Sequence, residues 1–335
     1  MKKSKFTWAI AVPIVLAALF GIVSFLGVTF LNISNEKVWG MPHTFGCVVI
    51  ASVIAILLGG TATIAILLKR TTGNFKTCFI WEIIFLLFFV VFAIFFTTRT
   101  SPFPHFFTVL AHKADIQTKL QTSIKQAENM FAAYESYAGN RENLYKNKLK
   151  SVAAAKSVKP SEYTAYGFEN NGVSDEKQIE TKIFTVHADL FPTNYSDTVA
   201  NNGIKEVATE WLQKAKSATN SSFLIGIAGV VNDIEKKSNE WLNTLVTLSQ
   251  VREQGEQAAD FEYPLGFESV KSNFTKLGNP TMGAVFGAVF AYVLILLAYI
   301  FTTRNGKSDY GFRALYSAIF SKKQNKTGSK FDIET

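Results

Sequence analysis

Four stretches of the chain, Trp8 to Phe30, Gly46 to Leu68, Cys78 to Phe96 and Met282 to Phe301, are apolar almost throughout. Each reaches the ~18 residues that mark a spanning helix, and at about 1.5 Å per residue each can cross a hydrocarbon core of about 30 Å, most with some tilt. Between the third and fourth runs the pattern changes. Leu120, Ile124, Ala127, Phe131, Tyr134, Ala138, Tyr145 and Val152 recur at spacings near four and three, as on one face of a helix. A second such series starts near Ile204, passes through Trp211, Ala215, Val231, Ile234, Trp241 and Leu245, and fades near Glu256.

These patterns predict an all-α membrane protein. Four transmembrane helices carry a large, mainly helical domain, coiled-coil or bundle-like, between the third and fourth spans. The predicted parts are a membrane region over 1–98, with spans at about 8–30, 46–68 and 78–97, a helical domain over 99–280, a fourth span over 281–303 and a tail over 304–335. Each helical series carries a break, at Gly139-Asn140 and at Thr219 to Ser222, so Gly139, Asn140 and Asn220 are hinge candidates. An extended two-arm stalk is the favoured form, with a folded bundle as the alternative. The connector, about 159–203, holds Lys182 to Ala188, rich in β-branched and aromatic residues, and predicts a small mixed cap with one or two strands.

Charge orients the spans. The full chain carries +8, and its non-membrane pieces carry +3, 0, +3, −1 and +4 in chain order. Positive loops stay on the cytoplasmic side, so both termini are expected there and residues 99–280 on the far side. The third and fourth runs both end in Phe-Thr-Thr-Arg, closing at Arg99 and Arg304 on opposite faces. That shared ending is an interfacial aromatic and a snorkelling arginine, not a repeat. The first run is too long for a signal-peptide core and has no Ala-x-Ala site after it, which favours a retained anchor. The basic excess sits in the short cytoplasmic pieces and calls for lipid, not nucleic acid.

Within the spans, Glu82 is the one carboxylate well inside, a functional candidate by default, with Lys69, Arg70 or Lys76 in reach as local partners. Gly283, Gly287 and Ala291 follow one another every four residues, and Gly59-Gly60 gives the second span a similar face. Small residues at that spacing let another helix approach, either a second copy or a neighbour in the same bundle. After the fourth span, Phe312, Leu315, Tyr316, Ile319 and Phe320 trace one face of a helix suited to the cytoplasmic interface.

The layout of a short first loop, a short inner loop and one long loop before the last span resembles that of tetraspanins in topology alone. The Cys-Cys-Gly motif and loop disulfides of that family have no counterpart here, since the two cysteines are Cys47 and Cys78. The segment 99–280 must hold itself together without disulfides. No nucleotide-binding, hydrolase or metalloprotease motif occurs, and no cofactor is implied. His112 and Asp115, three apart, form a metal-ligand spacing that is common by chance, and His187 and Asp189 in the cap have no nucleophile nearby in sequence.

The sequence therefore points to a non-enzymatic membrane scaffold. It is expected to be a homo-oligomer in a bacterial inner membrane, presenting its helical domain to a protein partner at the cap. A sensor signalling through the spans and a channel or transporter subunit are the alternatives. The first lacks a cytoplasmic output domain, the second a series of polar groups at mid-depth.

Overall fold

The computed structural model describes residues 8–71, 75–98, 101–197, 199–221, 226–275 and 280–302. The described chain is almost entirely helical, with a single pair of two-residue strands, and it divides into two units, 1–109 with 277–335 and 110–276. The tail with the expected interfacial helix at Phe312 to Phe320 lies outside the described residues.

The first unit contains helices α1 (Trp8–Leu31), α2 (His43–Arg70), α3 (Phe75–Phe95), α4 (Pro102–Ala111, all but its end) and α11 (Met282–Phe301). Four of them, α1, α2, α3 and α11, are long and apolar enough to cross a membrane. α1 and α2 meet through small residues: a Cβ placed on Gly59 falls 2.6 Å from the Ala17 Cβ, and one on Gly21 falls 2.9 Å from the Ala55 Cβ. Only glycine permits that approach, and dispersion contact along the seam replaces the absent hydrophobic drive between helices in lipid. Behind the seam, Phe20, Leu58, Phe89, Tyr292 and Ile295 form the core, with the Phe20 and Phe103 rings stacked at 4.1 Å. The aromatic face of α3 splits accordingly. Phe89 and Phe96 are buried, whereas Phe88 and Phe95 point outward.

Between α1 and α2 lie the strands β1 (Lys37–Val38) and β2 (Met41–Pro42), paired antiparallel, Lys37 with Pro42 and Val38 with Met41. The two turn residues, Trp39 and Gly40, both have positive φ, 53° and 75°. Tight hairpins of this kind favour Asn-Gly, and an L-residue held there costs roughly 1–2 kcal/mol. Pro102 opens α4 at its first position, where its missing N–H is no loss, and the Ser101 carbonyl accepts from the His105 N–H.

The second unit is built on α5 (Lys113–Ala154), 42 residues without interruption. Here the structure corrects the sequence reading: the helix runs straight through Gly139-Asn140. The low helix propensity of those two residues is outweighed by Ala138, Arg141 and Tyr145, which are buried on either side of them. After α6 (Pro160–Ala165), helix α7 (Asp175–Leu190) comes back antiparallel to α5, with Asp175 beside Lys156, His187 beside Glu142 and Leu190 beside Tyr134. The strands expected around Lys182 to Ala188 are therefore helix. Ser174 caps α7 by accepting from the Lys177 N–H, Asp175 and Glu176 favour its N-terminal dipole, and Ile179, Ile183, Val186 and Leu190 share its inner face. That tertiary face overrides the β-preference of the residues between them.

The second helical series is likewise not one arm. α8 (Ile204–Ser221) and α9 (Ile227–Gln250) are separate helices packed on each other, and Gly226, the N-cap of α9, adopts φ +90°. Trp211 and Trp241 meet edge to face at 5.7 Å between them. The start of α8 and the end of α9 both return to one level of α5: Lys205 pairs with Glu135, and Arg141 reaches Ser249. The expected two-arm stalk is thus a bundle, because α8 and α9 lie side by side and bring both apolar faces onto the same stretch of α5. A non-helical strap, 251–266, then runs back along α5 into α10 (Phe267–Thr275).

Candidate functional site

Three helix ends of the first unit converge on Glu82. This carboxylate, on the second turn of α3, is fully buried. The Tyr299 hydroxyl, from the last turns of α11, donates to its Oε1 at 2.6 Å. Lys69, at the end of α2, sits over the Tyr299 ring, 4.1 Å from the centroid, and donates to the Tyr299 carbonyl at 2.8 Å. The lysine thereby meets a carbonyl at the negative end of α11, while its stem stays against the aromatic ring. Lys69 is one of the basic residues expected near Glu82, and it enters the cluster by way of Tyr299. Sequence reasoning missed Tyr299. Its signal was a seven-residue spacing from Tyr292, which puts both phenols on the inner face of α11.

The small-residue candidates separate into used and unused. Gly59 is consumed by the α1–α2 seam, whereas Gly60, Gly283 and Gly287 have nothing within 4 Å of an added Cβ. Ala284 and Ala288, one position on, are buried in the bundle, and Ala291 is half-buried. Among the described residues, no other helix comes against the face that carries Gly283 and Gly287. Asn220 is the penultimate residue of α8.

In the second unit the dominant polar feature is Arg141. Its Nε and a terminal nitrogen donate to the two Glu256 carboxylate oxygens at 2.6 and 2.8 Å, and its remaining donors reach the Ser249 carbonyl at 2.8 Å and the Val251 carbonyl. Burial works to lower the Arg141 pKa, but the hydrogen bond and charge of Glu256 outweigh it, so the guanidinium is held above its ordinary value. Around this pair the strap is fixed by phenols: Tyr137 donates to the Ala259 carbonyl at 2.6 Å, Tyr145 to that of Gln254 at 2.9 Å, and Tyr263 to that of Gln126 at 3.0 Å. Burial, and then the nearby Glu253 and Glu256, push the Tyr145 pKa up, so the phenol stays protonated and donating. Between α5 and the strap remains a cleft of about 410 Å³, lined by Tyr137, Leu144, Lys148, Tyr166 and residues 255–259.

His187 is exposed on α7, its Nδ1 2.8 Å from Glu142 and its ring 5.0 Å from that of Phe191. Cys47 and Cys78 are unpaired thiols. Among the described residues no three His, Cys, Asp or Glu side chains gather as a metal site. No protein-family model matches the chain, and no similarity to a curated protein or to a solved structure is found.

Proposed function

We propose that this chain is a non-enzymatic membrane scaffold. In this reading it is a homo-oligomer in a bacterial inner membrane, with both termini cytoplasmic and residues 99–280 presented to a protein partner on the far side. The observation that carries it is the state of α11: Ala284 and Ala288 are spent on the bundle, while Gly283 and Gly287 face open space. A helix that keeps two glycines on its outer face bears the conformational cost of glycine with no close contact there among the described residues. A second copy supplies the missing contact. The alternation of loop charge supports the orientation.

Single cysteines at Gly283, Gly287 and His187, in a chain whose Cys47 and Cys78 are replaced by serine, test the oligomer and the orientation in intact membranes. Disulfide dimers through G283C or G287C, together with labelling of H187C by an impermeant maleimide from the far side, are the expected result. Monomers at both glycine sites overturn the oligomer, and labelling of H187C only after lysis overturns the orientation.

A further inference from the structure

A groove of about 390 Å³ opens on the surface of the first unit between α1, α2 and α3. Its walls are apolar, from Leu31, Val53, Leu57 and Phe95, and its polar residues lie at one end, where Thr98 and Trp39 flank the mouth. The depth of this groove is informative. On α2 its lining runs from Ile50 to Leu57, the eighth to the fifteenth residue of 28, so the groove ends at about the middle of the span. That is about 10 Å along the helix axis, roughly a third of the ~30 Å hydrocarbon core.

The mouth has features that the fold alone does not need. Trp39 occupies a positive-φ turn position where Asn or Gly fits better, yet its side chain is 70 % exposed and contributes little to packing. An indole at the end of a membrane-length helix pair, with its ring beside an apolar groove and its N–H free to reach polar groups, belongs at a bilayer interface. Asn32, also at the mouth, donates one amide hydrogen to the Val28 carbonyl, and its other amide hydrogen has no acceptor among the described residues. Thr98 gives its proton to the Phe95 carbonyl.

From this geometry we infer a specific phospholipid site: the upper part of one acyl chain lies in the α1–α2–α3 groove, and the glycerol-ester and headgroup region meets Asn32 and Trp39 at the mouth. The occupant is a lipid of the leaflet on the hairpin side. A groove with apolar walls that is polar at a single end matches the ester linkage and the upper part of one chain. Two other grooves of the unit, along the outer α1–α2 seam, share Ala18, Ala55 and Ile56, extend from Ile14 to Phe25 and offer a nearly bare apolar lining. They therefore serve as a control surface.

The inference rests on the chain spanning a membrane, and its test separates the two. Full-length protein is reconstituted in vesicles of phosphatidylethanolamine and phosphatidylglycerol containing a phosphatidylethanolamine with a diazirine on one acyl chain, irradiated, and mapped by mass spectrometry. Adducts concentrated at Val53, Leu57 and Phe95 are expected. V53W, which fills the groove, should cut them by about tenfold, whereas I56W on the control surface leaves them unchanged. W39N should also cut them while the melting temperature holds or rises, since asparagine suits the turn; a fall in melting temperature would mark Trp39 as a packing residue and remove the mouth from the site. Equal adduct yields at Ile56 and Val53, or no effect of V53W, would reduce the groove to ordinary annular contact. Each variant is first extracted with carbonate. A chain that leaves the membrane sinks the spanning reading itself, and one that stays while its adducts are uniform sinks only the lipid site.

Discussion

Arg141 and Glu256 form a two-point ion pair across 115 residues of chain, with side-chain exposures of 3 % and 2 %. Two further bonds from Arg141, to the Ser249 and Val251 carbonyls, fix where α9 stops and the strap begins. Removing one partner leaves the other charge buried and unmatched, which costs about 3–5 kcal/mol. E256Q and R141M are each expected to lose that much in denaturant unfolding followed by the circular dichroism of the intact chain. The double change R141M/E256L should recover a large part of it, because an apolar pair needs no desolvation.

At the Glu82 cluster, Y299F removes the phenol donor and keeps the ring beneath Lys69. The buried carboxylate then lacks one hydrogen bond, with an expected loss of ~1–3 kcal/mol in a thermal melt in detergent. Y292F is the matched control. Its hydroxyl lies 3.2 Å from a Thr97 hydroxyl that already reaches the Ala93 carbonyl, so the loss should be smaller, about 0.5–1.5 kcal/mol.

Gly139 lies in mid-helix with open space around it. G139A should therefore stabilise the second unit by about 0.4–1 kcal/mol, seen as a higher melting temperature. A lower one would mean that α5 bends there in solution.

The glycines of the first unit should respond in opposite ways. G59V drives a branched side chain into Ala17 across the α1–α2 seam, at a cost of about 1–3 kcal/mol. G283V meets nothing among the described residues and should leave the melt of the monomer unchanged while abolishing crosslinks between copies. Loss of stability in G283V would place that face inside the bundle.

Glu206 has its pKa lowered by the hydrogen bond from Ser196, with a smaller contribution from the Asp197 N–H, and burial opposes both. A carboxyl depressed in the folded state stabilises fully above its ordinary range and loses that contribution as pH falls through the lowered value. Amide protection across 196–206, taken relative to the intrinsic exchange rate at each pH, should thus fall in acid. E206Q should show the weaker protection already at neutral pH and lose the acid dependence.

The four apolar helices were legible because their signal is additive over some twenty residues, and no tertiary context reverses it. The inner face of α5 was legible for the same reason. What failed was local. Gly139-Asn140 reads as a break only until the burial of Ala138 and Arg141 is known, and Lys182 to Ala188 reads as strand only until Ile179 and Leu190 are seen to share its inner face. The second series was legible as helix, but periodicity says nothing about the relative direction of α8 and α9. The strap and its clamp had no periodic signal at all, because Arg141 and Glu256 find each other in space and not in sequence. Of the candidate membrane site, Glu82 and Lys69 were visible as charges in apolar surroundings, while Tyr299 was hidden among other aromatics.

The strap held to α5 by phenols and a guanidinium has a consequence for how this chain tolerates change. Several of its anchors grip main-chain carbonyls, those of Gln254, Ala259 and Val251, which every amino acid carries. Identity is therefore demanded of the regular helix, at Tyr137, Arg141 and Tyr145, and within the strap of Glu256 and Tyr263, whose own side chains make the contact, but far less of the residues held by their main chain alone. A saturation scan should invert the familiar map: within this pair of elements the loop at Gln257 to Ala259 is permissive, and one face of the helix is not.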